Sequence, residues 1–267
     1  MSEVHAGATA LLAGEIRIEG RIMPASNFTF FGSLVGEHDP AVRCVYKPVA
    51  GERPLWDFPD GSLAGREVGA YVVSEALGWD VVPPTVLRDG PAGVGMVQAW
   101  REPDPEQHPV DLKYGADGGE GYMHVLDALD ADDRPVSLVH EDSTPLRRMA
   151  VFDVVVNNAD RKGGHVLPMT DGHRFGVDHG VCFHVENKLR TVLWGWARQP
   201  LDPADVASLE QLADTVATSG SPLRARLSEL ITPGEIRALS ARVSGLLMRR
   251  RMPVPSGEWP AIPWPAF

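Results

Sequence analysis

The first hundred residues show the hydrophobic pattern of short β-strands with one helical segment between them. Residues 15–19 alternate between polar and apolar side chains and predict a strand with one buried face. Apolar side chains at helical spacing predict a helix over residues 64–77, which ends at Gly78. Three further runs predict strands, at 41–48, 81–87 and 95–100. This part of the chain is therefore predicted to form a small sheet with one helix.

The second half is predominantly helical. A stretch at 101–121 is polar and rich in Pro, Asp and Gly, and we interpret it as a lobe boundary. Predicted helices follow at 123–130, 143–158, 203–218, 222–231 and 233–251, with a hairpin pairing 165–168 with 174–177. The chain is predicted to be one α+β domain over residues 1–267. Its N-lobe (15–100) is expected to be small and β-rich, and its C-lobe (105–250) mainly helical. The Pro/Trp-rich tail (252–267) is expected either to dock a partner or to fold back across the surface of the protein.

Composition and charge narrow the classes of partner. The formal net charge is −11, from 25 basic and 36 acidic side chains, which argues against a nucleic-acid partner. No apolar run approaches the ~20 residues that span a bilayer, so no integral membrane association is expected. Cys44 and Cys182 are the only cysteines and support neither a disulfide framework nor a zinc site. No signal peptide is visible, and the expected location is the cytoplasm.

A polar cluster lies between the helix at 143–158 and the predicted hairpin. It reads Asn-Asn-Ala-Asp-Arg-Lys-Gly-Gly-His over residues 157–165, and Asp178-His179-Gly180 follows the hairpin. A kinase catalytic loop spaces its base and its metal ligand as D-x-x-x-x-N, and a D-x-G sequence then supplies a second metal ligand. The spacing therefore makes Asp160, Arg161 and Lys162 catalytic candidates. Asp178 and His165 become metal-binding candidates, with His165 at the asparagine position.

The remaining parts of a nucleotide site are sought in the first half of the chain. Lys47 ends a predicted strand and is the candidate for contacting the phosphates of ATP. Glu67 on the predicted helix is the candidate partner for Lys47, with Glu75 as its competitor. The turn containing Ser26 and Asn27 would cover the phosphates. Two further residues lie on the strand that would meet adenine, Gln98 and Trp100.

A family resemblance rests on these motifs. The sequence Asn158-Ala159-Asp160-Arg161, followed by Val177-Asp178-His179-Gly180, resembles the phosphatidylinositol 3-/4-kinase-like family, most closely its type II 4-kinase and small bacterial branches. Val82–Val86 and Lys47-Pro48 are also similar, and the resemblance covers residues 22–200. It implies a two-lobed protein-kinase-like fold and roles for Lys47 in phosphate binding, Asp160 in catalysis and Asp178 in Mg²⁺ binding.

These features predict an ATP-dependent, metal-dependent phosphotransferase that uses Mg²⁺ or Mn²⁺. The expected acceptor is a protein or a soluble small molecule. Two alternatives use the same groups: a nucleotide-binding pseudokinase that acts as a regulator, and an enzyme that transfers AMP.

Several individual roles have more than one interpretation. Asp160 and Asp178 are also residue types that cap helices and form turns. Arg161 and Lys162 either steady phosphate charge or belong to an exposed loop, and the resemblance favours a structural use of Arg161. His165 is a Mn²⁺ ligand, a cation that contacts phosphate, or a hydrogen-bonded histidine that leaves only one metal held.

Overall fold

An antiparallel sheet of five strands forms the N-lobe. The computed structural model of the protein describes residues 11–23, 27–36, 42–114 and 119–267. The strands are β1 (Glu15–Arg21), β2 (Phe30–Val35), β3 (Val42–Pro48), β4 (Thr85–Gly90) and β5 (Gly93–Ala99), in the spatial order β1-β2-β3-β5-β4. The predicted strand at 81–87 is shifted, because Pro83 and Pro84 have no N–H to donate to a ladder. Strand β4 accordingly begins directly after them.

The two faces of this sheet have different partners. One face carries a small apolar core that includes Ile16, Cys44, Tyr46 and Val97. On the opposite face, Lys47 of β3 pairs in register with Met96 of β5, and Met96 belongs to the main core of the protein. Lys47 therefore projects toward the side of the sheet where the rest of the protein packs.

Helix α1 (Leu63–Leu77) is held firmly at both ends. The Ser62 hydroxyl accepts a hydrogen bond from the Gly65 amide, and Gly78 ends the helix with a left-handed φ of 67°. The Glu52 carboxylate also accepts the amides of Leu63 and Ala64, at 2.9 and 2.7 Å. Three of the unpaired N–H groups at this helix start are thus satisfied.

A buried ion pair ties α1 to the C-lobe. The Arg66 guanidinium contacts Glu235 of a C-lobe helix at 2.8 Å, and both side chains are almost fully buried. Gly65 lies so close to the Leu230 carbonyl that a side chain at this position would collide with it. Glu67, the next residue after Arg66, is therefore held in a defined position between the lobes.

A second antiparallel sheet follows, where a linker and a helix were predicted. Its strands are β6 (Val110–Tyr114), β7 (Tyr122–Leu129) and β8 (Pro135–Glu141), in the order β6-β8-β7. The predicted helix at 123–130 is wrong, and the stretch at 101–121 contains a strand. The register of β7 against β8 shifts between His124 and Leu126, as in a β-bulge. The bulge breaks the period-two pattern, which is why this strand resembles a helix in sequence.

The remaining elements agree with the predictions to within about two residues. They are α2 (Thr144–Val156), β9 (Val166–Pro168), β10 (Arg174–Gly176), α3 (Pro203–Ala217), α4 (Pro222–Leu230) and α5 (Pro233–Arg249). Each of these four helices begins at a side-chain cap, and α5 has a complete capping box between Thr232 and Glu235. The β-rich first part and helical last part confirm the predicted fold class. Within the described ranges, no helix combines the length and apolarity needed to cross a membrane.

The C-terminal tail folds back onto the C-lobe. The Thr191 amide and the Trp194 indole N–H both donate to the Ala261 carbonyl, at 3.0 and 2.8 Å. The Gly163 amide donates to the Ala266 carbonyl at 2.8 Å. The tail therefore supports the loop that follows α2, which is the second of the two interpretations given above.

Candidate functional site

Three charged side chains from distant parts of the chain meet between the lobes. Lys47 Nζ donates to Glu67 Oε1 at 2.7 Å and to Asp178 Oδ1 at 2.8 Å. The other Glu67 oxygen accepts the His179 backbone amide at 2.9 Å. Strand β3, helix α1 and the segment after β10 thus converge on one lysine, and Glu67 rather than Glu75 is its partner.

The charges of this group shift one another's pKa values. The Lys47 ammonium lowers the pKa of Asp178, against the effect of desolvation. Burial alone would lower the pKa of Lys47, but the carboxylates of Asp178 and Glu67 outweigh it and the pKa is raised. Burial raises the pKa of Glu67, although Lys47 opposes the shift. Lys47 and Asp178 are therefore both charged at neutral pH.

Asp178 has a strained backbone and an accessible side chain. Its φ is 62°, in the left-handed region that aspartate and asparagine tolerate better than most residues. The Val177 amide donates to the His165 carbonyl at 3.0 Å and so fixes the start of this turn. The side chain remains 52% exposed. Lys47 contacts its Oδ1 oxygen, whereas its Oδ2 oxygen lies 3.5 Å from His165 Nε2.

Asp160 lies on the loop that follows α2, across the same cavity. The Asp160 amide donates to Asn158 Oδ1 at 3.0 Å, which orients the loop. Lys162 Nζ lies 3.6 Å from Asp160 Oδ2. Burial raises the pKa of Asp160, while Lys162 opposes the shift. A raised pKa makes this carboxylate a better proton acceptor than an ordinary aspartate.

The cavity between these groups has a volume of ≈ 470 Å³, within the range of small-molecule sites. Lys47, Glu67, Asp160 and Asp178 all line it. Asn27, between β1 and β2, also lines it, and the loop between β3 and α1 contributes Glu52, Arg53, Pro54 and Leu55. Lys47, Glu67, Asp160 and Asp178 thus border one space of suitable size.

Arg161 occupies a different position, beneath the loop. It is fully buried, and its guanidinium pairs with the equally buried Asp153 at 3.0 Å. It also donates to the carbonyls of His165 and Val177 and to His179 Nε2. All its donor groups are engaged with these partners, away from the cavity. This burial does not favour a direct catalytic role for Arg161, which stays a prediction. Arg161 joins the loop after α2 to the turn that carries Asp178.

Asp153 is the acceptor around which this buried network is organised. Besides Arg161, it accepts hydrogen bonds from Asn158 Nδ2 at 3.0 Å and Thr191 Oγ1 at 3.1 Å. Sequence reasoning missed it. The sequence signal that could have identified Asp153 is its position as the one carboxylate in the apolar run of residues 149–156. An unpaired charge would be costly to bury there, so a buried partner could have been expected.

His165 lies next to both aspartates. Its Nδ1 is 3.0 Å from the Asp160 backbone carbonyl, and its Nε2 is 3.5 Å from Asp178 Oδ2. Burial lowers the pKa of His165, although Asp178 opposes the shift. The described residues contain no group of three or more His, Cys, Asp or Glu side chains arranged to hold a metal. The metal-binding roles of Asp178 and His165 therefore stay predictions.

The other four N-lobe residues predicted to contact the nucleotide differ in whether they border the cavity. Asn27 borders the cavity, and its Oδ1 accepts the Arg53 amide at 2.8 Å, whereas Ser26 lies outside the described residues. Gln98 shares the sheet face of Lys47, but it is buried and its amide donates to Thr85. Trp100 is half-buried, and its indole N–H donates to Glu102 at 3.0 Å. Neither Gln98 nor Trp100 lines the cavity.

Arg53 and Glu52 are functional candidates that sequence reasoning missed. Both border the cavity from the loop between β3 and α1. Glu52 caps α1, while Arg53 brings a cation to the side of the cavity that the predicted phosphate-covering turn also occupies. The loop is rich in Pro, Gly and Asp, and its sequence has no periodicity that could have indicated these contacts.

Comparisons with known proteins agree on the fold. The Golgi casein kinase structure matches with a TM-score of 0.55 at 14% identity, covering 92% of this chain and 74% of that one. The structure of a hydra Fam20 protein with sugar matches with a TM-score of 0.54 at 14% identity, covering 92% and 88%. Such identities establish a kinase-like fold and leave the chemistry to the residues of this site. The phosphatidylinositol 3-/4-kinase-like resemblance is not confirmed by them.

Comparison with a single related protein sequence, rather than with family models, identifies the family. No protein-family model matches the chain. Protein Rv2133c of Mycobacterium tuberculosis is 52% identical over 269 residues, which cover 97% of this chain and 95% of the relative. That level of identity over nearly the full length of both proteins means that the chain belongs to the family of Rv2133c.

Proposed function

We propose that the protein is an ATP-dependent, metal-dependent phosphotransferase whose acceptor is a protein or a soluble small molecule. The observation that carries this proposal is the contact of Lys47 with both Glu67 and Asp178, across one cavity from Asp160. Kinase chemistry needs a lysine for the phosphates, a glutamate that orients this lysine, a metal-binding aspartate and a catalytic aspartate. In this proposal, four residues that are separated in sequence would supply this set: Lys47, Glu67, Asp178 and Asp160.

The roles of the residues follow from their environments. Lys47, oriented by Glu67, would bind the phosphates of ATP, and Arg53 would add positive charge from the loop. Asp178 would hold a divalent metal, which supplies charge neutralisation on the phosphates when bound. Asp160 would orient the acceptor hydroxyl and take its proton as the acceptor oxygen bonds to the γ-phosphorus and ADP leaves. Positioning and charge would provide most of the rate enhancement.

The first test is a thermal-shift measurement with ATP, in the presence of Mg²⁺, of Mn²⁺, or of EDTA. At a hundredfold excess over Kd, a ligand that binds only the folded state adds about 2.7 kcal/mol of stability. For a chain of this size that corresponds to a rise in Tm of about 5–11 °C. We expect such a rise only with a divalent metal present. No rise with either metal would contradict the proposed function.

Asp160→Asn should separate binding from chemistry. The substitution preserves the shape of the side chain but removes the proton acceptor. We expect metal-dependent ATP binding close to that of the wild type and a loss of phosphoryl transfer of about 10²–10⁴-fold. Calorimetry of ATP binding and release of labelled γ-phosphate measure the two quantities. Unchanged turnover would show that Asp160 is not the base.

A pseudokinase regulator is the second candidate, because His165 stands where kinases carry a metal-binding asparagine. It predicts the same metal-dependent thermal shift, but no transfer of label from ATP to any acceptor or to water. Transfer of AMP is distinguished in the same assay, since label from the α-phosphate rather than the γ-phosphate would then remain on the product.

A further inference from the structure

We propose that His165 is the second protein ligand of the divalent metal, and that its imidazole nitrogen makes the site favour Mn²⁺ over Mg²⁺. The inference rests on the proposed function, since the metal is the one that would accompany ATP. It concerns His165, which stands at the position where a kinase catalytic loop carries asparagine.

The hydrogen bond of His165 determines which ring nitrogen carries the proton. Nδ1 lies 3.0 Å from the Asp160 backbone carbonyl, and a carbonyl oxygen can only accept. Nδ1 is therefore the protonated nitrogen, and in a neutral ring Nε2 has a free lone pair.

The free nitrogen faces a carboxylate oxygen. Nε2 lies 3.5 Å from Asp178 Oδ2, while Lys47 occupies the other oxygen, Oδ1. An unprotonated Nε2 and a carboxylate oxygen are both electron-pair donors, so a metal cation bound by both would be favourable. In octahedral coordination, two neighbouring ligands about 2.1 Å from the ion are about 3.0 Å apart. The observed separation of 3.5 Å is longer than this, so a small movement of the two side chains would bring both onto one ion.

The surroundings of His165 match those of histidines that bind metals. Such a histidine commonly donates its other N–H to a backbone carbonyl, which fixes the tautomer and the ring orientation. The His165 carbonyl is also held, because it accepts the Val177 amide at 3.0 Å and Arg161 Nη1 at 3.2 Å. The ring is therefore oriented in advance, and the triphosphate and water would provide the remaining ligands.

The donor atoms then determine which metal is preferred. Mg²⁺ selects oxygen ligands and gives up water reluctantly. An imidazole nitrogen favours first-row transition ions over Mg²⁺, and Mn²⁺ is a member of that series with chemistry close enough to replace Mg²⁺ on phosphates. Asparagine at position 165 would offer an amide oxygen and should remove the preference.

The test compares wild type and His165→Asn by calorimetry with a non-hydrolysable ATP analogue, in Mn²⁺ or in Mg²⁺. We expect the variant to lose about tenfold or more in affinity with Mn²⁺ and to change little with Mg²⁺. The matched control is His124→Asn, because His124 lies on β7 and pairs with the exposed Asp127. This control should leave both affinities unchanged.

Pulsed EPR of the Mn²⁺ complex provides a readout that a merely structural role would not alter. Wild type should show ¹⁴N modulation from a directly bound imidazole, and His165→Asn should lack it. Absence of the ¹⁴N signal from the wild-type complex, or an unchanged Mn²⁺ preference in His165→Asn, would overturn this inference while the proposed function stood. A wild-type protein that binds the analogue with neither metal would instead contradict the proposed function itself.

Discussion

Asp178→Asn is expected to abolish the metal-dependent stabilisation by ATP while the fold is retained. Asparagine tolerates the left-handed backbone of this position (φ 62°), so the substitution removes charge without adding strain. The neutral amide replaces the carboxylate that would hold the metal, and it weakens the contact that orients Lys47. The rise in Tm with ATP and Mg²⁺ or Mn²⁺, about 5–11 °C in the wild type, should disappear.

The control for this experiment is Asp171→Asn. Asp171 lies in the turn between β9 and β10, the hairpin that precedes Asp178. Asp171 Oδ1 accepts the His173 amide, and an asparagine oxygen can accept the same hydrogen bond. This variant should respond to ATP and metal like the wild type. If Asp178→Asn kept the full metal-dependent rise as well, the assignment of the metal to this side of the cavity would be wrong.

Asp153→Asn is expected to cause the largest loss of stability. Asp153 and Arg161 are both fully buried, and the substitution would leave the Arg161 guanidinium without its counter-charge. Breaking a buried ion pair in this way costs about 3–5 kcal/mol of unfolding free energy. For a chain of this size, Tm should fall by about 6–20 °C. Chemical denaturation and calorimetry measure the two quantities.

An exposed aspartate provides the comparison for this prediction. Asp132 pairs with Arg134 at 3.1 Å, but its side chain is largely exposed. Asp132→Asn should therefore change the unfolding free energy by no more than about 1 kcal/mol. If Asp153→Asn does not fold, Thr191→Val still tests the network, because it removes only one hydrogen bond to Asp153. Wild-type stability in Asp153→Asn, or in Thr191→Val where Asp153→Asn cannot be measured, would contradict the proposed importance of the buried pair.

The C-lobe helices are predictable from the sequence because their signals are local. Helix α5 begins with Thr232 and Glu235 in a capping box, and α2 begins with Ser143 and ends at Asn157 with a left-handed φ of 55°. Caps and periodicity act within a few residues, so the chain itself contains the information. Strand β7 is the opposite case, since its pairing with β8 and the bulge at that pairing are properties of two segments together.

Some features of the candidate site are likewise predictable from the sequence, whereas others depend on the tertiary structure. The spacing of Asp160, His165 and Asp178 is visible in the sequence because it matches the D-x-x-x-x-N and D-x-G pattern of kinases, with histidine at the asparagine position. The choice of Glu67 over Glu75 as the partner of Lys47 depends on how α1 is rotated and held by the Arg66–Glu235 pair. That rotation is determined by packing between the lobes and has no local signature.

The sequence by itself therefore determined the α+β class, the helical C-lobe and the residue types that chemistry would need. Only the tertiary structure decided that Arg161 is buried against Asp153, that Arg53 borders the cavity, and that β6, β7 and β8 form a sheet. The physical reason is the range of the interactions. Caps, turns and motif spacing act along a few residues, whereas ion pairs, strand partners and cavity walls join residues that are distant in the chain and close only after folding.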